Sequence, residues 1–189
     1  MSDVHRNVSS EREELILVDA DDNETGFGTK ADCHDGEGVL HRAFSLFLFN
    51  AEGELLLQQR GNQKRLWPGF WSNSCCSHPR RGETMPVATL RRLSDELNIS
   101  AQLEYIYQFC YQARFSEAGS ENELCHVFLG RLDGAVRPND SEIESIRFIT
   151  ATNLDKELAL HPERFTPWFI DEWRTLREDY AGPLARYAI

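Results

Sequence analysis

The sequence is short of cations and has no long apolar run. Its 189 residues carry 20 lysines and arginines against 31 aspartates and glutamates, a net charge of −11. That excludes a broad nucleic-acid-binding surface, which needs a basic face against phosphate. An anionic small molecule is still acceptable, but only in a local basic pocket. The longest apolar stretch, around Ala43–Phe49, is far too short to cross a bilayer, so no membrane partner is expected. The opening residues Met1-Ser-Asp-Val-His-Arg6 lack the apolar core of a signal peptide. Internal repeats and low-complexity tracts are absent. Five cysteines (Cys33, Cys75, Cys76, Cys110, Cys125) are odd in number, scattered, and include an adjacent pair. No secreted disulfide framework has that pattern, and a reducing cytoplasm is the expected compartment.

What is present suffices for one domain. With 41% hydrophobic and 11% aromatic residues, the chain can bury a core without disulfide or metal staples. The expected organisation is a flexible tail over residues 1–12, one domain over 13–180 and a second tail over 181–189. Leu15–Val18 reads as a strand, followed by a turn at Asp19–Asn23 and loops at Gly26–Lys30 and Asp32–Gly38. Val39–Phe49 ends apolar on both faces, as a central strand does, with Asn50–Gly53 as a turn and Glu54–Arg60 as its hairpin partner. Pro86–Leu97 has helical spacing of Val87, Leu90, Leu93 and Leu97, with Thr84 as N-cap and Asn98 at its end. Strands near Gln102–Phe115 and Glu123–Leu132, joined by a loop at Ser116–Ser120, precede another at Ile143–Ile149. Helices near Asn153–Leu160 and Pro167–Tyr180 follow, the last with Trp168, Phe169, Trp173 and Leu176 on its apolar side. The fold class is α/β (α+β), a mixed β-sheet sandwiched by helices.

The segment Asn73-Ser-Cys-Cys-Ser-His-Pro79 places a thiol two residues from an imidazole, and in an extended strand Cys76 and His78 share a face. His34 and His41 lie at loop-to-strand transitions, and Glu121 and Glu123 share a strand face. Three imidazoles and two carboxylates make a divalent site suited to Mn²⁺, Zn²⁺ or Mg²⁺. Taken singly, a histidine is more often structural, and Glu-x-Glu more often a solvated face. Spacing alone leaves both readings open.

The run Ser77-x₅-Glu83-x₇-Arg91-Arg92-Leu93-x-Asp95-Glu96-x-Asn98-Ile99 resembles a Nudix box. It departs at Ser77, Arg92, Asp95 and Asn98, where the pattern has Gly, Glu, Glu and Gly. An arginine in place of a carboxylate turns a cation ligand into a phosphate contact, which weakens any hydrolase reading. Within a Nudix-like fold with an N-terminal strand extension, five further segments resemble type I isopentenyl-diphosphate isomerase. They are Cys33-His34, Leu40–Ser45, Trp67–Pro79, Glu121–Cys125 and Phe165–Trp168.

The resemblance implies an isomerase that moves the double bond of isopentenyl diphosphate to give dimethylallyl diphosphate through a shielded tertiary carbocation. It implies His34, His41, His78, Glu121 and Glu123 as metal ligands, with Glu96 on a second Mg²⁺ that accompanies the diphosphate. Cys76 becomes the catalytic thiol and Cys75 a packing residue. Glu123 is the catalytic carboxyl, Tyr111 its assistant and Trp168 the indole beside the cation. Lys30, Arg60, Lys64 and Arg92 become diphosphate contacts. The only expected partner is the small isoprenoid diphosphate, bound by a monomer. The rival readings are a Nudix diphosphate hydrolase and a metal-binding module without turnover.

Overall fold

The computed structural model describes residues 7–189. Its centre is a nine-stranded sheet with helices on both faces. In chain order the strands and first helices are β1 (Glu14–Val18), β2 (Glu24–Thr29), α1 (Lys30–His34), β3 (His41–Phe49), β4 (Leu55–Arg60), β5 (Trp71–Ser72), β6 (Cys75–Ser77) and α2 (Met85–Arg92). Then come a π-helical turn at Leu93–Leu97, β7 (Leu103–Ser116), β8 (Gly119–Arg131), β9 (Ile143–Ile149), α3 (Ala151–Leu160), a 3₁₀ turn at Pro162–Arg164, α4 (Pro167–Glu178) and α5 (Ala181–Leu184).

β3 occupies the middle, as its two apolar faces require. It runs parallel to β8 from His41↔Glu123 to Phe49↔Arg131, and antiparallel to β6 from Phe44↔Ser77 to Leu46↔Cys75. The expected hairpin with β4 is reduced to one pair, Phe49↔Leu55, because β4 peels away to pair with β9 and β5. Alternation along the strands sends side chains to two cores. Phe47, Phe49, Val127 and Leu129 pack with Phe169, Trp173 and Leu176 of α4 on one face. Phe44, Leu46, Leu48 and Cys75 pack with Ala88, Leu93 and Leu97 on the other.

Three local readings differ from the sequence expectation. Gly26–Lys30 is no loop: Glu24–Thr29 forms β2 on the edge of β1, where backbone pairing substitutes for an apolar pattern. Lys30–His34 is helical, started by Thr29, whose hydroxyl accepts from Asp32 N. In α2 the predicted stripe is broken. Val87 and Leu90 are 54% and 47% exposed, while Ala88, Thr89, Arg92, Leu93, Glu96 and Leu97 are buried. The wider π turn rotates the buried face, and an ion pair between Arg92 and Glu96 is buried with it. Asn98 closes the helix as expected, in left-handed backbone at φ 55°.

The predicted tails also carry structure. Residues 1–6 lie outside the described residues, but Val8 is buried and its carbonyl accepts from Arg92 Nη1 at 3.0 Å. At the other end α5 buries Leu184, and Ile189 reaches the turn at Gly53. A Cβ on Gly53, at φ 74°, would meet Ile189 at 2.5 Å, so the turn and the chain end exclude any side chain there.

Candidate active site

The polar ends of the central strands converge on one spot. On the α4 side of the sheet, β3 presents His41, Ala43, Ser45, Phe47 and Phe49, and β8 presents Glu121, Glu123, Cys125, Val127 and Leu129. Each strand is apolar at one end of this face and polar at the other. His41 pairs in register with Glu123, which pairs across β8 with Tyr111 of β7. His34 arrives from the end of α1, and His78 from just beyond β6. At Gly119 the backbone passes so close to His34 that a Cβ would lie 2.1 Å from the His34 carbonyl oxygen. Glycine there is what lets α1 approach β8.

The five predicted metal ligands therefore meet. Their ligand atoms all lie within 4.8 Å of one another, and the imidazole centroids are 4.8–5.4 Å apart. His34 Nε2 and Glu121 Oε2 are 2.8 Å apart, yet both are buried without a hydrogen bond, as is His41 Nε2. Buried lone pairs and carboxylate oxygens aimed at a common point fit a divalent cation. Burial pushes the His41 pKa down to about 4, with His34 adding to the effect, and it drives His78 far down too. Both imidazoles are thus neutral and able to ligate at pH 7. Burial opposes ionisation of both carboxyls. At Glu121 the neighbouring His34 reverses the outcome and lowers its pKa, whereas at Glu123 the charge of Glu121 adds to burial and raises it strongly.

Glu123 has two differently occupied oxygens. Oε1 lies 2.7 Å from His78 Nε2 and 3.7 Å from His41 Nε2, while Oε2 accepts from Tyr111 OH at 2.6 Å. The same cavity, about 790 Å³ in volume, is lined by Cys76 and Trp168. Arg60 Nη1 lies 3.8 Å from Cys76 Sγ, and the Arg60 guanidinium sits 5.3 Å from the centre of the Trp168 ring. Burial pushes the Cys76 pKa up to about 12, partly offset by Arg60, so the group is a thiol at neutral pH.

The four predicted anion contacts, Lys30, Arg60, Lys64 and Arg92, line this cavity as well. All four already have protein partners: Lys30 Nζ donates to Ser9 Oγ at 2.6 Å, Arg60 Nη2 donates to the Leu66 carbonyl at 2.9 Å, Lys64 pairs with Glu142, and Arg92 lies 3.3 Å from the same Glu142. Glu96 is not among the five clustered ligands. It is 2% exposed, and its Oε1 accepts from Arg92 at 2.6 and 2.8 Å. Glu83, the other box carboxylate, is gripped in bidentate fashion by Arg91.

Sequence reasoning missed Glu142, Trp67 and Ser9. Nothing local marked Glu142; only the fold brings it between Lys64 and Arg92. Trp67 lay within a quoted segment without a role. Its ring packs edge-on against Trp168 at 5.1 Å, and it takes left-handed backbone at φ 46°. That conformation is costly for a bulky residue and is held here by packing on Trp168 and Phe115.

Comparison with known proteins accords with this geometry. The NUDIX domain family model matches residues 39–169. Among solved structures, one from Deinococcus radiodurans superposes with a TM-score of 0.70 at 22% identity, covering 86% of this chain and 98% of its own. A MutT protein from Methanosarcina mazei gives a TM-score of 0.62 at 16% identity, covering 75% and 95%. These establish the fold. Sequence relatives go further. Isopentenyl-diphosphate Delta-isomerase 1 of Photorhabdus laumondii is 39% identical, covering 91% of this chain and 99% of the relative. Isopentenyl-diphosphate Delta-isomerase of Serratia proteamaculans is 42% identical, covering 93% and 98%. That of Burkholderia multivorans is 44% identical, covering 83% and 89%. On identity and coverage together, the chain belongs to the isopentenyl-diphosphate Delta-isomerase family, on a Nudix fold.

Proposed function

We propose that this protein interconverts isopentenyl diphosphate and dimethylallyl diphosphate, with Cys76 and Glu123 as the two proton-transfer groups. The observation that carries the reading is the placement of Glu123 between Tyr111 and His78 in a cavity that also holds Cys76 and a wall of aromatic rings. Isomerisation adds a proton at the terminal alkene carbon and removes one from the carbon nearer the diphosphate. An unactivated alkene is a poor base, so the donor must be close, oriented and shielded from water. Glu123 and Cys76 supply the two sites this needs: one, protonated, gives its proton to the terminal carbon, and the other, ionised, takes the proton removed from the carbon nearer the diphosphate. Tyr111 orients one oxygen of Glu123.

Trp168, backed by Trp67 and Tyr111, would face the tertiary cation; a cation–π contact is worth about 0.5–2 kcal/mol, more when dry. His34, His41, His78, Glu121 and Glu123 would hold a divalent cation, Mn²⁺, Zn²⁺ or Mg²⁺, which when bound supplies Lewis acidity and fixes the Glu123 carboxyl. Lys30, Arg60, Lys64 and Arg92 would receive the diphosphate with its Mg²⁺. In a protein of net charge −11 this local field is what attracts the anion, since screening limits charge effects to about 8–10 Å. Glu96, whose Oε1 accepts from Arg92, would orient that guanidinium as well as help hold the Mg²⁺ that accompanies the diphosphate. Glu83 and Glu96 are both engaged by arginines, which leaves Asp95 as the box carboxylate facing the cavity and weakens a hydrolase reading. The expected setting is the cytoplasm, with the protein acting as a monomer.

The test is incubation with isopentenyl diphosphate and Mg²⁺ or Mn²⁺ in D₂O, followed by NMR. Dimethylallyl diphosphate carrying deuterium is the expected product. Inorganic phosphate release without isomerisation would replace this reading with a hydrolase.

A further inference from the structure

One buried carboxyl has no part in the proton-transfer pair, the metal cluster or the basic cradle. Glu172 lies on α4, one helical turn beyond Trp168, with none of its surface exposed. Cys125 Sγ lies 3.5 Å from its Oε1 and 3.4 Å from Ser45 Oγ. Its Oε2 is buried without a hydrogen-bond partner among the described residues. The Glu172 backbone carbonyl accepts from Tyr107 OH at 3.3 Å. This single residue thus ties the helix bearing Trp168 to β3, β8 and β7, directly behind the reacting groups.

We propose that Glu172 is a positioning residue for the isomerase reaction, seating α4 and the Trp168 indole against the β3–β8 floor. The inference rests on the isomerase reading above. Burial pushes the Glu172 pKa up to about 8; Ser45 and Cys125 pull it back only in part, and Asp171 adds to the rise. At pH 7 the carboxyl is neutral, the form an apolar interior tolerates. The groups facing it are Ser45 on β3, Cys125 and Glu123 on β8, Cys76 on β6 and Tyr107 on β7, with Asp171 on its own helix. None is a cation. Ionisation would place an uncompensated charge in the core, loosening α4 and setting a second negative charge near Cys76 and Glu123. Turnover should therefore fall as Glu172 ionises.

The experiment compares wild type, Glu172→Gln and Glu172→Leu, each saturated with Mg²⁺, by pH–rate profile with isopentenyl diphosphate and by Tm against pH. Wild-type kcat should drop about tenfold by pH 9, one unit above the midpoint. Gln keeps a polar, uncharged group and should hold its pH 7 rate to pH 9; Leu, which lacks the polar contacts, should be slow throughout. The linkage has a definite sign. The unfolded carboxyl ionises near its model value of 4.5 and the folded one near 8, so wild-type stability falls with rising pH across that window. The Tm advantage of Gln over wild type should widen from pH 5 to 8 and then level. An alkaline limb unmoved by Gln, or a Tm difference independent of pH, overturns the proposal. If wild type fails to isomerise, the activity reading fails instead, and the Tm series alone still decides whether Glu172 is held protonated and uncompensated.

Discussion

Cys75 and Cys76 are neighbours in the chain and belong to opposite sides of the molecule. β6 is extended, so successive side chains point to opposite faces of the sheet. Cys75 enters the core beneath α2, packs with Leu46 and Leu97, and lies 3.4 Å from Glu96 Oε1. Cys76 faces the cavity, with Arg60 at its sulfur. Burial raises both thiol pKa values, and each thiol has an arginine near it, Arg92 for Cys75 and Arg60 for Cys76, but only Cys76 lines the cavity. The same element therefore carries a packing residue and a reactive one. The difference lies in what each face of the sheet is packed against, not in the residue type.

Substitutions that remove the reactive face should have the largest effect. Cys76→Ala and Glu123→Gln should each lower kcat by about 10²–10⁴-fold, the usual scale of a lost acid–base group, with Tm little changed. Near-normal turnover in either would remove that residue from the proton-transfer pair. Breaking the other side should act on folding instead. Arg92→Leu strands the Glu96 carboxyl, 2% exposed, and leaves Glu142 to Lys64 alone; it should cost roughly 3–5 kcal/mol in urea unfolding, alongside a raised KM for isopentenyl diphosphate.

Smaller effects sharpen the comparison. Trp168→Leu should reduce kcat by about 2–30-fold, the equivalent of one cation–π contact, with a lesser change in KM. Iodoacetamide labelling, resolved by peptide mass spectrometry, should distinguish the two cysteines directly. With its pKa near 12, Cys76 should react faster with each step in pH and reach no plateau below pH 10, since the thiolate is the nucleophile; Cys75 should stay unlabelled in the folded protein. A plateau near pH 8–9 would mean that Arg60 depresses the thiol far more than its 3.8 Å approach implies. Cys75→Ala should be the mildest change, about 1 kcal/mol in stability with turnover within twofold. Loss of turnover there would reverse the assignment of the two thiols.

The strands that build the site were legible because a buried strand declares itself by alternation or by an unbroken apolar run. β1, β3, β7 and β9 fall where the pattern places them, whereas β8 starts at Gly119, inside the expected Ser116–Ser120 loop and four residues before the expected strand. β2 and α1 were hidden, since an edge strand with two glycines and a five-residue helix have no periodicity to read. The α2 stripe misled for a different reason. Val87 and Leu90 obey the helical period, but the face toward the core is chosen by Arg92 and Glu96, whose buried ion pair no hydrophobic pattern signals.

By itself, then, the sequence determined the identity of the chemical groups and the spacing that puts Cys76 and His78 on one side and Cys75 on the other. It did so because strand alternation is a property of the local backbone. Tertiary structure alone decided which groups meet. His34 and Glu121 are 87 positions apart in the chain and yet their side chains lie 2.8 Å apart, because Gly119 lets α1 close on β8. The partnership of Glu142 with Lys64 and Arg92, and the burial of Glu172 behind Trp168, likewise arise from pairings between distant strands and the helix packed over them. No local pattern encodes such pairings, because their energy is gained only when separate elements shut water out between them.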